Sequence, residues 1–191
     1  MLTNALSYLL IACFLLLQRE LRGGEQARSL CPGETDQGTT RLLGMAFALS
    51  IPVLILAPLL NTLEVARLDL GFPVGWAGIV LMLGGLALRC WSNATLGRFY
   101  TSTLRLSPGQ AIVTRGPYRL LRHPGYAGAL LFWVGAALAS QNGLAAVLTV
   151  TPTSVAYALR IWSEESMLLT AFGEAYREYM RSTWRLVPWV F

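Results

Sequence analysis

The chain has no lysine, a single histidine (His123), and only 13% charged residues in a length of 191. A soluble domain carries about 25% charged residues. This sequence therefore has too little charge to cover a water-facing surface, and its mean hydropathy of +0.51 points to a bilayer as its solvent. Three cysteines (Cys13, Cys31, Cys90) form no CxxC and no C-terminal lipidation box, which argues against a disulfide framework, a zinc site and a prenyl anchor. One histidine and scattered acids leave no basis for a transition-metal site. The chain contains no GxGxxG, no phosphate-binding P-loop and no GxSxG, so a soluble nucleotide-binding fold and a nucleophile elbow are absent. A Ser/His/Asp triad is disfavoured because Asp36 and Asp69 lie far from His123 in the chain. The net charge is +5, but the arginines are not clustered with aromatics as a nucleic-acid surface requires.

Apolar runs fill most of the chain. Residues 2–21 form the first, and its charge (Arg19, Arg22) follows the run rather than preceding it, unlike a cleaved signal peptide. A polar loop over 23–40 leads to a second run at 42–63, which contains Pro52 and Pro58. Proline kinks a helix, and membrane helices tolerate it where neighbours compensate. The third run, 74–96, holds Gly78, Gly84 and Gly85, which either permit close helix contact or face lipid. Residues 97–123 are polar, with a turn at Ser107-Pro108-Gly109. A fourth run, Pro124–Ser140, and a fifth, 144–162, flank the tight turn Gln141-Asn142-Gly143 and predict an antiparallel hairpin. Residues 164–181 continue as an amphipathic helix whose Met167, Leu168, Phe172, Tyr176, Tyr179 and Met180 face the membrane or the bundle. Trp184, Trp189 and Phe191 read as interfacial aromatics.

The expected fold is thus all-α: a polytopic membrane helical bundle of five transmembrane helices plus a C-terminal amphipathic helix. It forms one domain over 1–191, with three N-terminal spans in 1–96 and a functional core in 97–191. Of the fifteen arginines only Arg67 lies away from the segments following spans one, three and five. The positive-inside rule then puts the N-terminus outside and the C-terminus in the cytoplasm. A lysine-free chain rich in Ala, Gly and Arg fits a GC-rich bacterial genome, and so a bacterial inner membrane.

Two polar islands interrupt the apolar pattern, and both fall on the cytoplasmic side. Arg115–Gly128 reads RGPYRLLRHPGYAG, and Arg160–Glu165 reads RIWSEE. Arg160 and Glu164 stand four apart on one helical face and can pair. Ionisable groups near the end of a membrane helix are costly unless paired, snorkelling or functional. Two adjacent carboxylates point in different directions from a helix, so one can neutralise Arg160 while the other faces a cationic ligand. The alternative is an ordinary arginine anchor beside a solvated glutamate pair. His123 precedes Pro124, which holds it extended at a helix start where backbone amides are free. Tyr118 and Tyr126, taken singly, read as interfacial tyrosines.

Taken in order, several motifs resemble the isoprenylcysteine carboxyl methyltransferase family. They are Ile112-Val113-Thr114, Gly116-Pro117-Tyr118, Arg122-His123-Pro124-x-Tyr126-x-Gly128, Arg160-x-x-x-Glu164-Glu165 and Phe172-Gly173-x-x-Tyr176-x-x-Tyr179. Related phospholipid N-methyltransferases share the RHPxY-to-EE core. The resemblance covers about 96–188, and the first two spans carry no motif. It implies a membrane enzyme using S-adenosylmethionine, with a cytoplasmic cofactor pocket and a lipid-tailed acceptor entering from the bilayer. By motif position it implies cofactor contacts at Gln110, Ala111, Ile112, Val113, Tyr118, His123, Pro124, Gly125, Tyr126 and Glu164. Arg160 is the implied substrate contact and, with Glu165 as the candidate base for an amine acceptor, the catalytic pair. Neither a metal nor a nucleic-acid partner is expected. Gln110 stands where members with a prenylcysteine substrate often have histidine. The other open readings are an NADPH-dependent membrane sterol or enone reductase, some of which also carry HPxY, and a non-catalytic scaffold.

Overall fold

The computed structural model describes residues 2–20, 36–101, 103–104, 106 and 109–188. Cys31, Ser107, Pro108, Trp189 and Phe191, assigned above to a loop, a turn and interfacial positions, lie outside them. Among the described residues six α-helices follow in order: α1 (Leu2–Glu20), α2 (Thr39–Thr62), α3 (Phe72–Leu96), α4 (Pro124–Ser140), α5 (Gly143–Phe172) and α6 (Glu174–Ser182). Short 3-10 turns at Gly97–Phe99 and Gly116–Arg119 punctuate the segment between α3 and α4. Three helices, α2, α3 and α5, are long and apolar enough to cross a membrane, and α1 and α4 are shorter apolar helices.

Local chemistry sets the boundaries. Gly38, in the left-handed region at φ 80°, turns the chain into α2. Proline occupies the first turn of α3 and of α4, where its missing N–H costs nothing. Asn142 caps α5 by accepting from the Ala145 N–H at 3.0 Å. The prolines inside α2 leave it one continuous helix.

The 30 residues of α5 extend about 45 Å, beyond the roughly 30 Å of a hydrocarbon core, so its last turns stand clear of the apolar layer. The expected amphipathic helix over 164–181 is in fact divided. Its first part is the end of α5, and Gly173, at φ 56°, breaks the chain into α6. The apolar spacing runs through that break unchanged, so periodicity alone could not place it.

Helices α3 and α4 meet backbone to backbone. A Cβ on Gly85 would stand 2.5 Å from the Gly128 carbonyl oxygen, and one on Gly78 would stand 2.6 Å from that of Gly135. Gly128 and Gly135 meet Gly85 and Gly78 in the same way from the other side. Small residues let backbones touch where the bilayer offers no hydrophobic drive. Gly84 lies outside this seam, exposed, with only a Leu131 side chain within 4 Å of a Cβ placed there. The core beside the seam is aromatic: Phe14 of α1 stacks on Phe132 at 4.6 Å, and Phe47 of α2 stacks on Trp133 at 5.2 Å.

The helices leave two polar ends. At one, the α2–α3 and α4–α5 turns meet: Asn61 donates to the Ser140 carbonyl at 2.9 Å, and Leu68 N–H donates to the Gln141 carbonyl at 2.9 Å. At the other, the ends of α1, α3 and α5 and the starts of α2 and α4 surround a cavity.

Candidate active site

The cavity measures about 550 Å³, within the range of small-molecule sites. Its wall includes ten of the residues singled out from the sequence: Gln110, Ala111, Ile112, Val113, Tyr118, His123, Gly125, Tyr126, Arg160 and Glu164. The two polar islands therefore meet in space. Pro124 is fully buried behind the wall, at the first turn of α4.

Tyr126 is the central connection. Its hydroxyl donates to Glu164 Oε2 at 2.6 Å and accepts from Arg160 Nε at 3.0 Å, so one phenol spaces an acid from a guanidinium. The His123 ring stacks on Tyr126 with centroids 5.5 Å apart. Its Nδ1 lies 3.9 Å from Glu164 Oε2, and its Nε2 lies 3.4 Å from Glu165 Oε1. The single histidine thus stands between the two carboxylates.

Arg160 and Glu164 do not form a direct pair. Arg160 instead finds its acid at the start of α2, with NH1 3.5 Å from Asp36 Oδ1 and donating to Thr40 Oγ1 at 3.0 Å. Asp36 also accepts from the Thr40 hydroxyl at 2.8 Å and the Thr39 hydroxyl at 3.2 Å. Burial acts to raise the Asp36 pKa, but the threonine hydrogen bonds and Arg160 outweigh it and hold the carboxyl below its ordinary value.

Glu165, the candidate base, is not among the residues that line the cavity. Its Oε1 accepts from Arg122 Nε at 2.9 Å, and its Oε2 accepts from Arg185 at 2.8 Å. Two guanidiniums and His123 surround it, so it fastens chain segments together. Arg122 also donates to the carbonyls of Met180 and Thr183. Backbone completes the fastening: Arg122 N–H donates to the Trp184 carbonyl at 2.7 Å, and Trp184 N–H donates to the Leu120 carbonyl at 2.8 Å. The segment after α6 thereby runs as a parallel bridge beside the loop before α4. Trp184, assigned above to the interface for its ring, contributes its backbone here while the side chain remains exposed.

The face of 164–181 assigned to the membrane or bundle splits the same way. Met167, Leu168 and Phe172 line the cavity from α5, and Tyr176 and Tyr179 line it from α6. Tyr179 donates to the Tyr118 carbonyl at 2.8 Å. Burial pushes its phenol up to about 12, with Arg122 working against the rise. Burial, and then the nearby Glu164 carboxylate, raise Tyr118 and Tyr176 further still, so all three remain neutral donors at physiological pH.

Several wall residues carried no sequence signal. Leu15 and Gln18 come from α1, and Thr40, Leu43 and Phe47 come from α2. The two motif-free helices therefore complete the pocket. Asp36 was readable only as an acid beside two threonines at a helix start, a local capping pattern. Nothing local announced that it would meet Arg160.

A family model described as phospholipid methyltransferase matches residues 74–175. A probable protein-S-isoprenylcysteine O-methyltransferase of Oryza sativa subsp. indica is 29% identical over 154 residues, covering 80% of this chain and 81% of the relative. Protein-S-isoprenylcysteine O-methyltransferase A of Arabidopsis thaliana is 33% identical over 144 residues, covering 71% of this chain and 73% of the relative. Among solved structures, the eukaryotic intramembrane Ras methyltransferase, isoprenylcysteine carboxyl methyltransferase, matches with a TM-score of 0.60 at 23% identity. That match covers 79% of this chain but 52% of the solved one, so this chain spans about half the length of that protein, and the likeness is one of fold.

Proposed function

Since this chain belongs to the phospholipid methyltransferase family, among whose similar members are protein-S-isoprenylcysteine O-methyltransferases, we propose that it transfers a methyl group from S-adenosylmethionine to the carboxylate of a lipid-tailed, prenylcysteine-like acceptor. The observation that carries this reading is the Tyr126 hydroxyl, which holds an acid, Glu164, and a cation, Arg160, on the wall of one cavity. A positively charged donor and a negatively charged acceptor need those two poles side by side.

The residues fit such a donor. Glu164 offers a carboxylate to its positive charge, and Tyr118, Tyr126, Tyr176 and Tyr179 offer aromatic faces. Gln110, Ala111, Ile112 and Val113 form the irregular stretch of wall that would carry its polar groups, with His123 and Gly125 at the start of α4 and Pro124 fixing that first turn. S-adenosylmethionine supplies a methyl group bonded to a sulfonium. Arg160 orients the acceptor carboxylate and neutralises it, and is itself held in place by Tyr126, Thr40 and Asp36. A carboxylate is already ionised near neutral pH, so no residue has to remove a proton. Joining opposite charges is favoured where water is excluded, and the membrane-facing bundle excludes it.

An amine acceptor, as in phospholipid N-methylation, would require a base. Glu165, the candidate for that role, is engaged by Arg122 and Arg185. This favours the carboxylate acceptor. The acceptor is lipophilic and reaches the cavity from the bilayer, and the proposed site calls for no metal and no nucleic acid. In this reading the cavity end faces the cytoplasm and the N-terminus lies outside, supported by the arginine placement, and the membrane is a bacterial inner membrane, supported by the lysine-free, Ala-, Gly- and Arg-rich composition.

The test is thermal melting of the detergent-solubilised protein with S-adenosylmethionine, S-adenosylhomocysteine or NADPH, followed by radiolabelled methyl transfer to an N-acetylated S-farnesylcysteine. The expected results are stabilisation by the first two ligands and an alkali-labile methyl ester. Stabilisation by NADPH alone would replace this reading with a membrane reductase.

A further inference from the structure

We infer that Arg89, with Asn93 one helical turn on, forms a second carboxylate subsite in the cavity, and that it holds the amino-acid carboxylate of the methyl donor. This rests on the methyltransferase reading and extends it to a residue that no motif marked.

Both side chains come from the same face of α3 and lie on the cavity wall. Arg89 is 8% exposed and Asn93 is 5% exposed. One guanidinium nitrogen of Arg89 donates to the Gly125 carbonyl at 2.9 Å, and the group lies 5.3 Å from the centre of the Phe14 ring. Two donors, Arg89 Nε and Asn93 Nδ2, are withdrawn from water and have no hydrogen-bond partner. Thr103 Oγ1, on the same wall and 1% exposed, is a third unpartnered polar atom.

The other buried arginines differ from this one. Arg160 has Asp36 within 3.5 Å, and Arg122 has Glu165 at 2.9 Å. Among the described residues Arg89 forms no ion pair. A guanidinium taken from water inside a membrane bundle is costly until an anion meets it. Both orphaned nitrogens are donors and the group is cationic, so the missing partner is an anionic acceptor, and a planar carboxylate fits the guanidinium fork. The proposed reaction brings two ligand carboxylates into one cavity, one on the donor and one on the acceptor. Arg160 accounts for the acceptor's, which leaves the donor's for Arg89.

The experiment compares S-adenosylhomocysteine with its decarboxylated analogue by calorimetric titration, on the full detergent-solubilised chain. Wild type should bind the decarboxylated analogue about tenfold to a hundredfold more weakly, as expected for loss of a charged hydrogen bond. Arg89→Gln should bind the two within about threefold of each other. Asn93→Asp keeps the shape and adds a repelling charge. It should weaken S-adenosylhomocysteine more than the analogue, which keeps the test available if Arg89→Gln does not fold. Discrimination that survives in both variants overturns the subsite. So does a wild type indifferent to the carboxylate. A parallel titration with N-acetyl-S-farnesylcysteine and its carboxamide should show acceptor discrimination unchanged in Arg89→Gln, and its collapse there would overturn the assignment to the donor. A wild type that binds neither ligand fails the methyltransferase reading itself.

Discussion

At the turn end of the bundle, Asn142 donates its amide protons to Asn61 Oδ1 and the Val65 carbonyl, at 2.8 Å each, and accepts from Ala145 N–H at 3.0 Å. At the cavity end, Asn93 is nearly as buried and keeps an amide nitrogen with no partner. The same residue type thus serves two purposes in one chain. Where polar groups satisfy each other internally, they set the geometry of a turn. Where they are left incomplete beside a cavity, the missing partner belongs to a ligand. Charge follows the same division. Among the described residues the turn end holds only the exposed Arg67 with Glu64 and Asp69, whereas the cavity end concentrates buried arginines and acids.

The contrast is broken most severely by Arg160→Ala. We expect turnover to fall about a thousandfold, or about 4 kcal/mol of transition-state stabilisation, with donor affinity within a few-fold of wild type. Parallel kinetics and donor titration check this, and equal losses in both would remove Arg160 from the acceptor's side. Asn142→Ala tests the opposite end. It strands Asn61 and the Val65 carbonyl and removes the cap of α5, so stability should drop by about 3 kcal/mol while donor affinity at 10 °C stays unchanged. A shift in donor affinity there would mean the two ends are coupled.

Tyr126→Phe sharpens the comparison inside the cavity. Loss of the hydroxyl that spaces Glu164 from Arg160 should lower kcat/KM about tenfold to thirtyfold, with little change in melting temperature. The smallest effect belongs to Asp36→Asn. The Asp36 carboxyl is held below its unfolded value of about 3.9, so its contribution is present above that pH and is lost as pH falls through the folded value. Melts at pH 7 should separate the variant from wild type. Melts below about pH 4 should bring them together, and a gap that widened in acid would reverse the assignment.

Much of this arrangement was legible in the chain. The five apolar helices, the turn at Gln141 and the convergence of the loop at His123 with Arg160 and Glu164 follow from hydropathy, turn residues and motif order. What could not be read is long-range or carried by backbone. Arg160 reaches Thr40 across 120 residues of sequence, and no periodicity encodes such a meeting. The bridge between Leu121 and Trp184 is made of peptide groups that every residue possesses. Glu165, the candidate base for an amine acceptor, adjoins Glu164 in the chain, yet neighbours on a helix diverge by about 100°. That turn sets Glu165 against Arg122 and Arg185, and it is not among the lining residues.

The glycine seam between α3 and α4 also has a consequence for traffic. Where Gly78 meets Gly135 and Gly85 meets Gly128, peptide planes touch and leave less room than a methyl group needs. A hydrocarbon chain is wider than that, so this side of the bundle is a wall to anything arriving from the lipid. On the proposed reading, a lipid-tailed molecule would then pass by α1, α2 or α5, whose Leu15, Phe47 and Leu168 side chains border the cavity. Side chains can swing aside, and abutting backbones cannot. The closed seam would thus direct the proposed acceptor's route as well as holding two helices together.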